Sequence, residues 1–178
     1  MNAAKKLAGA IDTFIDRVGG ALSWLALVVA LVMGANVLLR YGFSLGAIWA
    51  QELEWYLLVP LTLFGMSYAL RHGEHVRVDV LFASFPPRLK LAVDVASAII
   101  AMIFSALVVY LSIAFVAQSW SMREGSPNPG GIDAVYLVKT FIPVGFVLLF
   151  LQSLAQAIHA ALGLTAFSPD DTAAKDFQ

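Results

Sequence analysis

Long apolar runs alternate with short charged segments along the chain. The first run, residues 18–39, reaches about 33 Å as a helix, which is enough to cross the hydrocarbon core of a bilayer. Because backbone groups in lipid must be hydrogen-bonded within their own segment, the pattern predicts an all-α integral membrane protein with four transmembrane helices. The predicted spans are residues 18–39, 48–70, 95–122 and 140–167. The second is extended upstream through Glu52 and Glu54, since its uncharged part alone is slightly short.

The segment before the first span is amphipathic. Apolar residues recur at helical spacing at Leu7, Ile11, Ile15, Val18 and Leu22, and the other faces hold Lys5, Lys6, Asp12, Asp16 and Arg17. This pattern predicts an N-terminal interfacial helix segment. It is expected to lead into an uncleaved anchor, because the apolar run is longer than the core of a signal peptide.

The connections carry ordinary stop and start signals. Ser84 followed by Pro86 and Pro87 predicts the start of the third helix near Pro86. The Pro/Gly-rich segment SMREGSPNPGGIDAVYL predicts an irregular loop. Residues 1–167 are interpreted as a single four-helix membrane domain, and residues 168–178 as a polar, disordered tail.

Composition excludes several classes of function. Hydrophobic residues make up 60% of the chain and charged residues 13%, against about 25% charged in soluble domains. A net charge of −1 without a basic stripe argues against nucleic-acid binding. The absence of cysteine excludes disulfides, thiolate zinc sites and cysteine nucleophiles. With no phosphate-binding glycine motif and no paired-histidine metal spacing, the sequence predicts neither enzyme activity nor a cofactor.

Lysine and arginine set the predicted orientation. With four spans, both termini share a side with the middle connection, and that side holds eight Lys and Arg residues against three on the other. The eight are Lys5, Lys6, Arg17, Arg71, Arg77, Arg88, Lys90 and Lys175, and the three are Arg40, Arg123 and Lys139. Both termini are therefore expected to be cytoplasmic. The opposite edge gathers an aromatic belt of Tyr41, Trp49, Trp55, Trp120 and Tyr136.

The span interiors resemble a scaffold more than a conduit. None of the uncharged windows contains Asp, Glu, Lys or Arg, whereas a transporter that moves ions alone usually needs such a group at midplane. Pro60 is expected to be the one mid-span helix breaker, with Pro143 in a first turn. A polar stripe of Gln152, Gln156 and His159 is interpreted as interhelical hydrogen bonding or an interfacial helix end, in preference to a proton relay. His72 and His75 are interpreted as a solvated pair in preference to a metal site.

Two further patterns concern helix contacts. Small residues recur every four positions at Ala26, Ala30 and Gly34 in the first span and at Ser97, Ala101 and Ser105 in the third, which favours close helix packing. The expected neighbour is another span of this chain, with a partner protein as the alternative. Arg40 and the Glu52/Glu54 pair bracket one short turn, where they neutralise each other, meet another chain, or form an ordinary interfacial charge cluster.

Several of these segments resemble the small membrane subunit of tripartite ATP-independent periplasmic (TRAP) transporters. The resemblance is carried by NVLLRY, WAQELEWYLL, FGMSYALRHGEHVRVDVLF, PPRLK and PNPGGIDAVYLVKTFIPVGF, and it covers nearly the whole chain. Many relatives have proline where this chain has Asp133, so the contacts of that loop are expected to differ.

The resemblance implies a scaffolding subunit for a large multi-span transport subunit in the bacterial inner membrane. A periplasmic binding protein would capture the substrate, typically an organic acid, and sodium ions would drive uptake. It also implies roles at the subunit or membrane interface for Arg40, Trp49, Glu52, Glu54, Trp55 and Arg71. Two alternatives remain from the residues alone: a membrane anchor of a redox complex, and a self-sufficient four-helix small-molecule transporter.

Overall fold

The computed structural model describes residues 2–74 and 85–166, and all regular secondary structure within them is helical, without strands. The helices are α1 (Asn2–Gly42), α2 (Ile48–His72), α3 (Pro87–Ser121) and α4 (Val135–Ala166). All four are long and apolar enough to cross a membrane. The prediction of an all-α membrane protein with four transmembrane helices is therefore confirmed. The predicted tail and the predicted Ser84 cap lie outside the described residues.

Helix α1 joins the predicted interfacial segment and the first span in one continuous helix of 41 residues. Its length is about 62 Å, roughly twice the hydrocarbon thickness of a bilayer. The N-terminal half of α1 packs through Ala8, Ile11 and Ile15 into a core that includes Leu148 and Ala155 of α4. Asp12, which the sequence pattern placed on an outward face, is buried on this packed face and is 6% exposed. That expectation was wrong because Asp12 lies one turn after Ala8 and one before Ile15.

The ends of α2 and α3 follow local chemistry. Gly73 adopts a left-handed conformation with φ of 74°. Its N–H donates to the Leu70 carbonyl and the Glu74 N–H donates to the Ala69 carbonyl, which terminates α2. Helix α3 begins at Pro87, with the extended residue Pro86 as its N-cap. The predicted start was within one residue of this, because proline suits the first helical turn.

Helix α4 starts earlier than predicted, at Val135 instead of residue 140. Pro143 consequently lies inside the helix and not in its first turn, so the expectation that Pro60 is the one interior proline was wrong. Lys139 therefore lies within the helix. Its amine lies 4.2 Å from the centre of the Phe115 ring and forms an ion pair with Glu124.

Helix α4 is the centre of the bundle. It packs against α1, α2 and α3, whereas α3 packs mainly along α4. Glycine permits close approach of helices at one contact between α1 and α2 and at one contact between α4 and α2. A Cβ on Gly19 would lie about 2.0 Å from the Tyr68 ring, and one on Gly145 would lie 2.8 Å from the Leu63 side chain. Helices α1 and α2 therefore pack on one side of α4, and α3 lies on another.

Candidate functional site

The most buried ionisable group in the described core is Asp12 of α1, whose side chain is 8% exposed. Its carboxylate joins three helices. Gln152 of α4 donates a hydrogen bond to Oδ1 at 3.1 Å, and Nε2 of His159, also on α4, lies 2.8 Å from Oδ2. Nε of Arg71 on α2 lies 3.3 Å from Oδ1. Burying a charge is costly unless it is paired and hydrogen-bonded, and these contacts meet that requirement.

A second carboxylate extends the same group. Asp16 lies 3.8 Å from Arg71 Nε and 3.3 Å from His72 Nε2. We call these side chains, Asp12, Asp16, Arg71, His72, Gln152 and His159, the aspartate cluster. Among the described residues, Arg71 Nε is at ion-pair distance from Asp12 but forms no aligned hydrogen bond, and Gln152 Oε1 is buried without a hydrogen-bond partner. The cluster thus links α1, α2 and α4 at one end of the bundle, although one of its donors and one of its acceptors lack a hydrogen bond in the described structure.

At the opposite end of α2, the Glu52 carboxylate is enclosed by the loop between α3 and α4. Ser126 donates a hydrogen bond to Oε1, Asn128 Nδ2 donates to Oε1 at 2.9 Å, and the Ile132 N–H donates to Oε2 at 2.7 Å. The Tyr56 hydroxyl donates to the Ile132 carbonyl at 3.1 Å. We call this arrangement the Glu52 cradle. It pins the Pro/Gly-rich loop to the start of α2.

Gly131 lies in close contact with the side chains of the Glu52 cradle. A Cβ at this position would lie about 2.3 Å from Ser126 Oγ and 2.5 Å from Glu52 Oε2. Any other residue would therefore require the Ser126 hydroxyl or the Glu52 carboxylate to move from its present position.

The structure does not bring Arg40 to either glutamate. Glu54 instead accepts a hydrogen bond from Asn36 Nδ2 at 2.8 Å, which joins α1 to α2. Among the described residues no carboxylate lies within ion-pair distance of Arg40, which is exposed. Six charged and aromatic residues were singled out from the sequence. Three of them form hydrogen bonds or ion pairs within the chain, namely Glu52, Glu54 and Arg71. Arg40, Trp49 and Trp55 are exposed, Trp49 by 54% and Trp55 by 71%.

The start of the α3–α4 loop carries its own ion pair. Glu124 accepts hydrogen bonds from Lys139 and from Ser119. The hydrogen bond from Lys139, reinforced by that from Ser119, lowers the pKa of Glu124 below its usual value. Nearby, Trp120 Nε1 donates to Thr140 Oγ1 at 2.9 Å and its ring contacts Tyr136 edge-on at 4.6 Å. These contacts join α3 and α4 at the end of the bundle that also holds the Glu52 cradle.

The small-residue stripes lie differently from each other. Ala26, Ala30 and Gly34 are exposed on α1 and line no contact within the described chain. On α3, Ser97 is exposed, Ala101 is half-buried and Ser105 is buried. The positions of α3 that are buried against α4 recur every seven residues, at Ala98, Ser105, Ser112 and Ser119.

Cavities in the described structure are shallow clefts. One of about 350 Å³ lies between the end of α1 and the start of α2 and is lined by apolar side chains, with Asn36 and Trp49 at its edge. Among the described residues, no group of three His, Asp or Glu side chains is arranged to hold a metal ion. The geometry favours static links between helices over a reaction centre.

The sequence indicated some of the aspartate cluster. The predicted interhelical bonding of Gln152 and His159 is confirmed, because both contact Asp12. Asp12 itself was missed, although its spacing of four from Ala8 and three from Ile15 placed it on the apolar stripe. His72, expected to be solvated, is exposed and contacts Asp16. Its predicted companion His75 lies outside the described residues.

Comparison with known proteins agrees with this architecture. Residues 29–163 match the family described as tripartite ATP-independent periplasmic transporters, DctQ component. The chain is 24% identical over 151 residues to the ectoine TRAP transporter small permease protein TeaB of Halomonas elongata, covering 84% of this chain and 77% of TeaB. It is 41% identical over 66 residues to a protein of Haemophilus influenzae provisionally named a TRAP transporter small permease protein, covering 37% of this chain and 40% of that protein. With four membrane-spanning helices and a family match over most of its length, the chain belongs to the DctQ family as a TRAP transporter small permease subunit, a transport component and not an enzyme.

Proposed function

We propose that this subunit is a scaffold that holds a large multi-span transport subunit in place while that partner moves substrate. The observation that carries the proposal is the position of the charged groups. They form interhelical links at the two ends of the bundle, in the aspartate cluster and at the Glu52 cradle. Between these ends, residues 18–39, 55–70, 95–122 and 140–158 contain no Asp, Glu, Lys or Arg.

This distribution supports a rigid subunit. A protein that carries ions or organic anions across the bilayer usually needs polar groups or unwound helices at midplane. Here the buried carboxylate of Asp12 is held by side chains from two other helices. Such links oppose the relative motion of helices that alternating access requires, so the moving parts are assigned to the partner.

The large subunit is proposed to contact the exposed end of the α1–α2 pair. Arg40 and Trp49 are exposed there beside the apolar cleft, and the exposed Ala26, Ala30 and Gly34 stripe continues along α1. Small residues on an unoccupied helix face permit close approach of another helix in lipid. Trp55 is proposed to anchor the same end in the headgroup region.

The remainder of the system is proposed from the family. A periplasmic binding protein would deliver an organic acid, and a sodium gradient would drive its uptake through the large subunit. The subunit would lie in the bacterial inner membrane with both termini cytoplasmic, as the excess of Lys and Arg on that side favours. Ectoine, for which the Halomonas elongata relative is named, serves as the comparison substrate in the uptake assay described next.

The test is reconstitution of the chain alone, with the large subunit, and with both partners. We expect uptake when all three proteins and an inward sodium gradient are present, and none from the chain alone. The tagged chain should also retain the large subunit through purification. Uptake by the chain alone would contradict the scaffold proposal.

The contact surface is tested by charge reversal in the same purification. Arg40→Glu should lower the amount of co-purified large subunit by about tenfold if it removes a partly desolvated contact. Arg123→Glu is the control, because Arg123 is also an exposed cation near a helix end, just after α3, whereas Arg40 lies in the last turn of α1. Equal losses in both variants, or none in either, would remove Arg40 from the proposed interface.

A further inference from the structure

Both carboxylates of the aspartate cluster face a histidine from another helix. His159 of α4 reaches Asp12 at 2.8 Å, and His72 of α2 reaches Asp16 at 3.3 Å. The histidine side chains are 50% and 43% exposed, so protons from solvent reach them, while the Asp12 side chain is 8% exposed. Histidine is the side chain that ordinarily changes charge near neutral pH.

The charge balance of the cluster reverses over that range. With both histidines protonated, two carboxylates face three cations, since Arg71 is always charged. With both histidines neutral, Arg71 is the one cation left among the side chains of the cluster. Its Nε forms no hydrogen bond with Asp12 in the described structure. Helix α3 brings Arg88, Lys90 and Asp94 to the same end of the molecule, where Leu91 packs near Gly163 of α4.

We propose that the aspartate cluster is a proton-sensitive latch that holds the N-terminal half of α1 against α2 and α4. Protonation of His159 and His72 tightens the latch, because the buried Asp12 and its neighbour Asp16 then each face an additional cation. Deprotonation loosens it, because Asp12 stays buried with fewer counter-charges. This inference concerns the chain itself and does not rest on the scaffold proposal.

The segment that the latch controls is short and well defined. Ala8, Ile11 and Ile15 lie on the face of α1 that packs against Leu148 and Ala155. Ala8 lies one turn before Asp12, and Ile15 lies one turn after it. Loosening the links at Asp12 and Asp16 lowers the cost of separating this face from α4, while the membrane-embedded remainder of α1 stays packed through Leu22 and Val29.

The test uses the cysteine-free background of the full chain in lipid nanodiscs. Ala8→Cys places a thiol on the packed face, where Ala8 is 0% exposed. Ala10→Cys places a matched thiol on the exposed face of the same helix. The ratio of their maleimide labelling rates cancels the general effect of pH on thiols. We expect the labelling rate of the Ala8→Cys variant divided by that of the Ala10→Cys variant to rise about threefold from about pH 5.5 to about pH 8.5. The change is small because ion pairs with half-exposed histidines contribute little free energy.

Histidine replacement identifies the groups responsible. In a His72→Gln, His159→Gln background the ratio should be high and constant across this range, because glutamine keeps hydrogen bonding but carries no charge. Ile11→Cys is a second reporter on the packed face, in case Ala8→Cys disturbs the core. A ratio that does not change with pH in the native background would overturn the latch. A change of equal size in the double glutamine background would overturn it as well.

Discussion

Asp12 and Asp16 lie one helical turn apart in α1 but in very different surroundings. The Asp12 side chain is 8% exposed and contacts three side chains from two other helices, whereas the Asp16 side chain is 44% exposed. Removing one partner of a buried ion pair leaves an uncompensated charge, but an exposed pair in water contributes little. The identity of the residue therefore matters less here than its place on the helix.

We predict that Asp12→Asn destabilises the protein by about 1.5–3 kcal/mol, because the charge-assisted contacts of the buried carboxylate with Arg71 and His159 are lost. Asp16→Asn is the matched control and should cost about 0–1 kcal/mol, since water can replace its contacts. The measurement is the denaturant midpoint of the purified chain in detergent near neutral pH. Similar midpoints for the two variants would contradict the assignment of Asp12 as a buried link.

The contact between α3 and α4 depends on small side chains repeated every seven residues. Ala98, Ser105, Ser112 and Ser119 are buried on α3, and a seven-residue repeat keeps one seam of a helix against its neighbour. The hydroxyls of Ser105 and Ser112 donate to carbonyls of their own helix, at Ala101 and Val109. These serines thus act by their small size and not by bonding across the interface.

Substitution at Ser105 separates size from hydrogen bonding. Ser105→Ala should change stability by less than about 0.5 kcal/mol, because the hydroxyl serves its own helix. Ser105→Leu should cost about 1–3 kcal/mol, because a position with 0% exposure has no room for a larger side chain. Ser97→Leu, on the exposed face of α3, controls for the leucine itself. Unfolding of all three variants in detergent gives the comparison, and a marked loss in Ser105→Ala would favour an interhelical hydrogen bond.

At the scale of the molecule, the links lie at two opposite ends. The aspartate cluster joins α1, α2 and α4 at one end, and the Glu52 cradle and the Glu124–Lys139 pair join α2, α3 and α4 at the other. Helix α4 takes part in the contacts at both ends and packs against every other described helix. The links at both ends therefore converge on α4, and the orientation of the bundle in the membrane decides which of them face the cytoplasm.

We predict that the end holding the aspartate cluster is cytoplasmic. Single cysteines at Ala3 and Pro86 should react with a membrane-impermeant maleimide only after the cells are opened. Cysteines at Ser44 and Pro129 should react in intact cells. The reason is the excess of Lys and Arg at the first end, which the positive-inside rule places in the cytoplasm. Labelling of the Ala3→Cys variant in intact cells would reverse the assignment.

Local sequence was sufficient to predict the number of helices and most of their boundaries. Runs of apolar residues long enough to cross a bilayer, Gly73 after α2 and Pro86–Pro87 before α3 act through neighbours in the chain, so their effects are readable without a fold. Helix α4 was the exception. It starts at Val135, upstream of Lys139, and Lys139 contacts Glu124 and Phe115, which lie 15 and more positions before it in sequence.

The rotation of each helix about its axis was decided by the tertiary structure. In lipid, apolar residues face both the bilayer and other helices, so hydrophobic periodicity does not distinguish a buried face from an exposed one. For this reason the four-residue stripe at Ala26, Ala30 and Gly34, which is exposed in the described structure, did not identify its neighbour, and the seven-residue repeat buried on α3 went unrecognised. The partners of Asp12 and Glu52 likewise come from residues 59 to 147 positions away. Sequence alone determined that charges lie at the helix ends, and only the packing of α1, α2 and the α3–α4 loop around α4 determined which charge each one meets.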